Sequence, residues 1–323
     1  MGMKILWPDI HMTLTKSMAM AFDALGHEML IPSSDYKITH FPSPPVNQFI
    51  WNTEWTEEKV KEEFKVNNVR AVSKEEILDI KPDVIFITGY ENQFEVLREL
   101  WPFLSGSSKL AFYSGNDYWE DAYPWYMIQN YLCADQLALG LCQKYQKHFL
   151  NYRPWIDYDQ FSFEENTNGN IFGSYISEYD KTFPREYEFV KKLQGECDFV
   201  DFRINSEATK EETAQCMKES VATIHVKGLE GYGFAIIESM ARGRPVFLHR
   251  ELAEGKSYLN WAIENNTALF FGNAVEFMAK SKAIIECKEY RHFVQKACSI
   301  TIRKIINNEQ QTELLGTFLE DLL

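Results

Sequence analysis

No run of eighteen apolar residues occurs anywhere in the 323-residue chain, so nothing in it has the length and hydropathy of a membrane-spanning helix. The first thirty residues carry Asp9, Asp23 and Glu28 where a secretory leader would be apolar, and a cytoplasmic protein is the expectation. Cysteine is sparse. The six residues, at 133, 142, 197, 216, 287 and 298, form no Cys-x-x-Cys pair and have no histidine at metal-ligand spacing. They read as reduced, mostly structural thiols, which argues against a zinc cluster and a disulfide framework. Positive charge is also short: 33 Lys and Arg face 47 Asp and Glu, for a net charge of −14. Residues 1–165 alone hold 14 against 24. That imbalance argues against a nucleic-acid backbone or an anionic lipid surface as the main partner, because both need clustered Lys and Arg. No internal repeat or low-complexity tract stands out. What remains, 45% hydrophobic and 25% charged, is an ordinary soluble composition, and the length exceeds one typical core, so two domains are expected.

Strand and helix patterns alternate, which implies parallel sheets with helices on both faces. Lys4–Trp7 reads as a first strand. A helix with Met18, Met20, Ala21, Phe22 and Leu25 on its apolar side follows, Gly26 stops it, and Met29–Ile31 opens the second strand. Residues 32–56 are rich in Pro, Ser and aromatics (Pro42, Pro44, Pro45, Trp51, Trp55) without a clear period, and so long an irregular segment in a compact domain is often functional. Later strands are expected at Val84–Ile87, Leu110–Tyr113 and Gln136–Leu139, then at Ile171–Tyr175, Phe199–Phe202, Ala222–His225, Val246–Leu248 and Ala268–Phe271. A helical tail runs from about Glu286, broken near Asn307 and Asn308. The polar, turn-rich segment 164–170 reads as a linker.

The richest stretch runs from Glu230 to Val246, E-G-Y-G-F-A-I-I-E-S-M-A-R-G-R-P-V. Gly231 and Gly233 flank Tyr232, a helix pattern follows from Phe234 to Arg242, and Gly243 and Pro245 end it. Glycines ahead of a helix let a ligand approach the backbone, and the first helical N–H groups lack partners within the helix. With the helix dipole they suit a diphosphate. Glu238 lies ~7 Å along the helix axis, roughly the span from a pyrophosphate to its ribose. Glu230 stands across the glycine turn, where a sugar would be. A packing turn, a dipole-favoured carboxylate at Glu230 and an exposed helix glutamate at Glu238 are the plain structural alternatives.

The whole phrase resembles the signature of the retaining glycosyltransferases of family 4. That signature has two Glu separated by seven residues, Gly-Phe-Gly after the first, and Gly-x-Pro-Val at the end; Tyr232 stands here for the usual Phe. Leu25-Gly26-His27-Glu28 is similar to a phrase common in enzymes of the same two-domain GT-B architecture. Pro154–Phe161 resembles the Gly-(Ile/Val)-Asp-x-x-x-Phe handover between their domains, with Ile156, Asp157 and Phe161 kept and Trp155 replacing the glycine. Asp157-x-Asp159 also reads as a metal-binding pair, although the surroundings fit the handover phrase.

The resemblance implies an α/β fold of GT-B architecture, with two Rossmann-like domains whose parallel sheets face each other across a cleft. Residues 1–163 would form an acceptor-side domain, 164–306 a nucleotide-sugar-binding domain, and 307–323 a helix packing back on the first. It implies transfer of a hexosyl or pentosyl group from a nucleotide-diphosphate-sugar donor to a saccharide or glycoconjugate hydroxyl, with retention and with neither metal nor cofactor. Glu230 would bind hydroxyls of the donor sugar and Glu238 the ribose, and Gly231, Tyr232, Gly233 and Phe234 would line the diphosphate. The family's Gly-Arg…Lys cations are represented by Gly173 and Ser174, so the arginine is absent. Lys181 and Arg185 stand a little later as candidates, Lys227 is another, and solvated surface charge is their structural alternative. The family's His-Gly is represented by Ser114-Gly115. Beside it Asn116 and Asp117 offer polar contacts to a sugar, and Tyr118 or Trp119 a stacking face; a helix cap is the alternative for Asp117. His11 follows the first strand. Two rivals share the architecture: a nucleotide-sugar epimerase, and a two-lobed binding protein without chemistry.

Overall fold

The computed structural model describes residues 2–8, 12–33, 57–88, 91–115, 128–166, 169–205 and 209–323. His11, the 34–56 segment, Asn116, Asp117, Tyr118 and Trp119 lie outside them. The chain forms two compact units, Met1–Trp155 with Asn307–Leu323, and Ile156–Ile306.

In the first unit β1 (Lys4–Leu6) leads to α1 (Met12–Ala24), β2 (Glu28–Pro32), α2 (Glu57–Phe64) and β3 (Val69–Val72). Then come α3 (Lys74–Ile80), β4 (Val84–Ile87), α4 (Glu91–Leu104), β5 (Lys109–Ser114), β6 (Asn130–Cys133), α5 (Gln136–Lys144) and β7 (His148–Asn151). The seven strands are all parallel, in the order β3-β2-β1-β4-β5-β6-β7. A strand covered on both faces is apolar throughout, and all four residues of β4 are buried. One face packs Trp7 against Phe22, Phe86 and Tyr113 at ring distances of 5.4–6.3 Å. Leu14, Met18, Ala21 and Phe22 are the buried side of α1, and Gly26, at φ +70°, ends it in the left-handed conformation that a side chain resists.

The expected strand at Gln136–Leu139 is instead the start of α5. Asp135 accepts the Ala138 N–H at 2.6 Å and so caps a helix there, and the strand is the preceding Asn130–Cys133. The short strands β3, β6 and β7 were not anticipated.

The second unit comprises β8 (Ile171–Ser174), α6 (Tyr179–Thr182), α7 (Pro184–Glu196), β9 (Asp201–Ile204), α8 (Lys210–Glu219), β10 (Ala222–His225) and α9 (Phe234–Ala241). It continues with β11 (Val246–His249), α10 (Arg250–Ala253), β12 (Ala268–Phe271), α11 (Ala274–Glu286) and α12 (Lys288–Ile305). Its five parallel strands lie in the order β12-β11-β10-β8-β9. β9 starts two residues later than expected, because the Val200 N–H is turned back onto Cys197 C=O. The core is aromatic: Phe277 sits 5.1–5.9 Å from Phe172, Phe202, Phe247 and Phe271.

The last helix, α13 (Asn308–Leu322), belongs to the first unit and packs on α1 and β7. Phe318 stacks on His148 at 4.9 Å, and the Arg153 N–H reaches Gln311 Oε1 at 2.8 Å. Among the described residues no helix is long and apolar enough to cross a membrane.

Candidate functional site

Strand order in the second unit reverses between β10 and β8, and open parallel sheets bind ligands beyond the carboxyl ends of their strands at such a reversal. Thr223 of β10 lies opposite Gly173 of β8, so Ser174 and His225 end neighbouring strands on the same edge. The connection from β10 to α9, residues 226–233, carries the glycine phrase.

That connection is fixed by several bonds. Tyr179 donates its hydroxyl to Val226 C=O, and Glu186 Oε1 accepts the Gly228 N–H at 3.2 Å. Tyr232 is buried edge-on against Phe234 and Trp261, at 5.0 and 5.4 Å. Gly233 has φ +78° and caps α9 without any side-chain acceptor, so the start of this helix is built from backbone alone. Behind it Thr223 donates to Ser239, which donates to Ala235 C=O, tying α9 to β10. The phrase ends as firmly. Gly243 takes φ +84°, and a Cβ there would lie 2.7 Å from the Phe163 ring. Arg244 is wholly buried and donates to four backbone carbonyls: Met217, Lys218, Glu164 and Arg242, at 2.6–3.2 Å. Burial, and then the neighbouring Arg242, push its pKa down to about 10.

Glu230 is the centre of a charged cluster. Its Oε2 lies 2.8 Å from His225 Nε2 and 3.2 Å from Lys227 Nζ, while Oε1 accepts the Gly231 N–H at 3.2 Å. Burial alone would raise its pKa; Lys227, and then His225, outweigh that and hold the carboxyl well below the usual range. An ionised carboxylate only accepts, so Nε2 carries the proton and Nδ1 of a neutral ring is a buried acceptor. Nδ1 has no partner among the described residues, and neither does Ser174 Oγ, whose residue is 1% exposed.

The depressed carboxyl sets a pH dependence. A group whose pKa is lower folded than unfolded adds stability that is complete above its unfolded value and lost as pH falls toward the folded one. The wild type should therefore exceed Glu230→Gln in urea-melt stability at neutral pH, and the difference should shrink below about pH 4.5, the ordinary carboxyl value. A pH-independent difference would show that the carboxylate is not held by Lys227 and His225.

The other candidates fall as follows. Glu238 is on α9, 8% exposed, and its backbone C=O accepts the Arg242 N–H. Gly173 owes its lack of a side chain to a neighbour: a Cβ would lie 1.9 Å from Tyr175 Oη, which folds back to Ser220. Lys181, on α6, is 60% exposed with Glu178 3.5 Å away, and Arg185 is exposed in the first turn of α7. Ser114 ends β5 and donates to Asp135, the residue that caps α5. Asp157 Oδ1 accepts the Gln160 N–H at 2.9 Å and closes a turn. His225, Tyr179 and Glu186 were not singled out from the sequence. The only signal for His225 is an ionisable side chain at the end of the Ala-Thr-Ile-His strand, which is buried throughout.

The class that this architecture defines is the GT-B fold, shown by solved structures that match nearly the whole chain. Anabaena HepE in complex with UDP and glucose aligns with a TM-score of 0.72 at 10% identity, over 99% of this chain and 100% of that one. Sucrose-phosphate synthase from Thermosynechococcus elongatus aligns at 0.62 and 10% identity, over 99% and 98%. UDP-GlcNAc 2-epimerase from Neisseria meningitidis, bound to UDP-GlcNAc, aligns at 0.53 and 12%, over 95% and 100%. No protein-family model matches the sequence, and no curated protein sequence matches it.

Proposed function

We propose that the chain is a glycosyltransferase of the family 4 type, moving a sugar from a nucleotide-diphosphate-sugar to a saccharide or glycoconjugate hydroxyl with retention and without a metal. The observation that carries this reading is the backbone-capped start of α9 beside Glu230, placed at the strand reversal of a GT-B fold. The helix N-terminus suits the diphosphate. Glu230 accepts from hydroxyls of the transferred sugar, Glu238 from the ribose, and Gly231, Tyr232, Gly233 and Phe234 shape the turn between them. As the bond to the sugar breaks, charge grows on the departing diphosphate. Fixed N–H groups and a basic side chain, for which Lys181, Arg185 and Lys227 are the candidates, meet that charge. Asp117, outside the described residues, remains our candidate for a contact to the sugar, and a cytoplasmic location fits a soluble donor.

The test is thermal stability with UDP, GDP, ADP, TDP and CMP, each with and without EDTA. At about 100 times the dissociation constant, binding adds about 2.7 kcal/mol. A shift with one diphosphate that survives EDTA is the expected result; no shift with any of them would sink the donor site. The epimerase neighbour favours one second reading, in which the sugar is inverted at one carbon while still on the nucleotide. NMR of the products separates the two, since an epimerase alters the donor sugar with no acceptor present.

A further inference from the structure

We propose that Lys227 is the cation that receives the donor's diphosphate, and that Glu230 holds it in reserve through an ion pair that the donor exchanges for two contacts of its own. This rests on the donor-site reading above and names the charge that reading needs.

The position where a cation is expected, after Gly173, is the buried Ser174. Lys181 and Arg185 are exposed, and charge in open solvent contributes little to a ligand. Lys227 differs from both. Its side chain is 22% exposed, it lies over the Phe183 ring at 5.2 Å, and it precedes the glycine turn that opens α9. Its partner Glu230 is shared with His225, a side chain only 2% exposed.

Desolvating such a cluster is costly, and a fold that needed only to pin the loop has no use for it. The loop is already held by Tyr179 on Val226 C=O, by Glu186 on the Gly228 N–H and by the burial of Tyr232. The cluster is therefore available for exchange. A nucleotide-sugar brings an anion for Lys227 and hydroxyl donors for Glu230, so neither charge is left alone when the pair opens. His225 keeps its bond to Glu230 throughout and is a positioning residue. The two orphaned groups on the same edge are of the kinds such a ligand uses: Ser174 has a hydroxyl to donate to phosphate, and His225 Nδ1 accepts from a sugar hydroxyl.

The test is calorimetric titration of the full chain with UDP, GDP, ADP and TDP and with the matching monophosphates. For the diphosphate that the wild type binds, Lys227→Met should weaken affinity about tenfold or more, equal to about 1.4 kcal/mol. The matching monophosphate should lose less than about threefold, and Lys227→Arg should recover most of the diphosphate affinity. Glu230→Gln releases the lysine, so its affinity for the sugar-free diphosphate should rise about threefold or more, and the rise should vanish in Lys227→Met/Glu230→Gln. Unchanged diphosphate affinity in Lys227→Met overturns the proposal. Equal losses for di- and monophosphate with a lowered melting temperature, or a rise that survives in the double variant, also overturn it. A wild type that binds no nucleoside diphosphate overturns the donor-site reading and this proposal with it.

Discussion

Glu230→Ala is expected to lower kcat/KM for sugar transfer by about a hundredfold or more while leaving nucleoside-diphosphate binding measurable. The size follows from where the carboxylate sits. It is held by His225 at 2.8 Å and Lys227 at 3.2 Å, with the Gly231 N–H on its other oxygen, so its direction is set before a ligand arrives. Fixed polar groups of this kind contribute about 10²–10³ to a rate when one is removed. On the proposed reading alanine removes the acceptor for the sugar and leaves His225 and Lys227 without their carboxylate, yet it spares the α9 N–H groups assigned to the diphosphate. The split between turnover and nucleotide binding is what the assay must read. If turnover and binding fell in parallel, Glu230 would be a structural residue of the loop and the transferase reading would lose its central side chain. If neither changed, the donor sugar would lie elsewhere.

The second large effect concerns stability. Arg244→Met is expected to cost about 3 kcal/mol or more, because it leaves up to four buried carbonyls without a donor. For a unit of this size that corresponds to a fall in melting temperature of about 6–12 °C. Arg244→Lys should recover only part of the loss, since one ammonium cannot span acceptors arranged for a planar fork. The carbonyls belong to the end of α8, to the segment that precedes β8 at Glu164 and to the helix end at Arg242, so one cation binds three chain segments. A differential scanning measurement that placed Arg244→Met within 2 °C of the wild type would show the carbonyls find other partners.

The glycine phrase was legible because its geometry is local. Positive φ at Gly233 and Gly243 and the helix between them are written in consecutive residues, and the parallel sheets follow from the alternation of patterns. What escaped is non-local or short. Gln136–Leu139 is as apolar as a strand, and only Asp135, accepting the Ala138 N–H, turns it into a helix. Ser114 looks free in the sequence, but its partner Asp135 lies 21 residues away. His225 differs from any other strand-end residue only through Glu230, which a sheet edge and a glycine turn bring to it. Ser174, where the resemblance calls for an arginine, is visible in the sequence; the partnership of Lys227 with a largely covered carboxylate is not.

The helix α13 returns to the first unit, so the second unit is in effect an insertion within the first. A ribosome therefore delivers every residue of the unit that begins later before it delivers the last of the unit that begins first. Ile156–Ile306 is complete as a sequence while Leu25, His148 and Arg153 still await Gly316, Phe318 and Gln311. Domains made in succession ordinarily fold in the order of synthesis. Here that order is inverted: the unit with the glycine turn can close first, and the unit that begins earlier is completed only when α13 arrives.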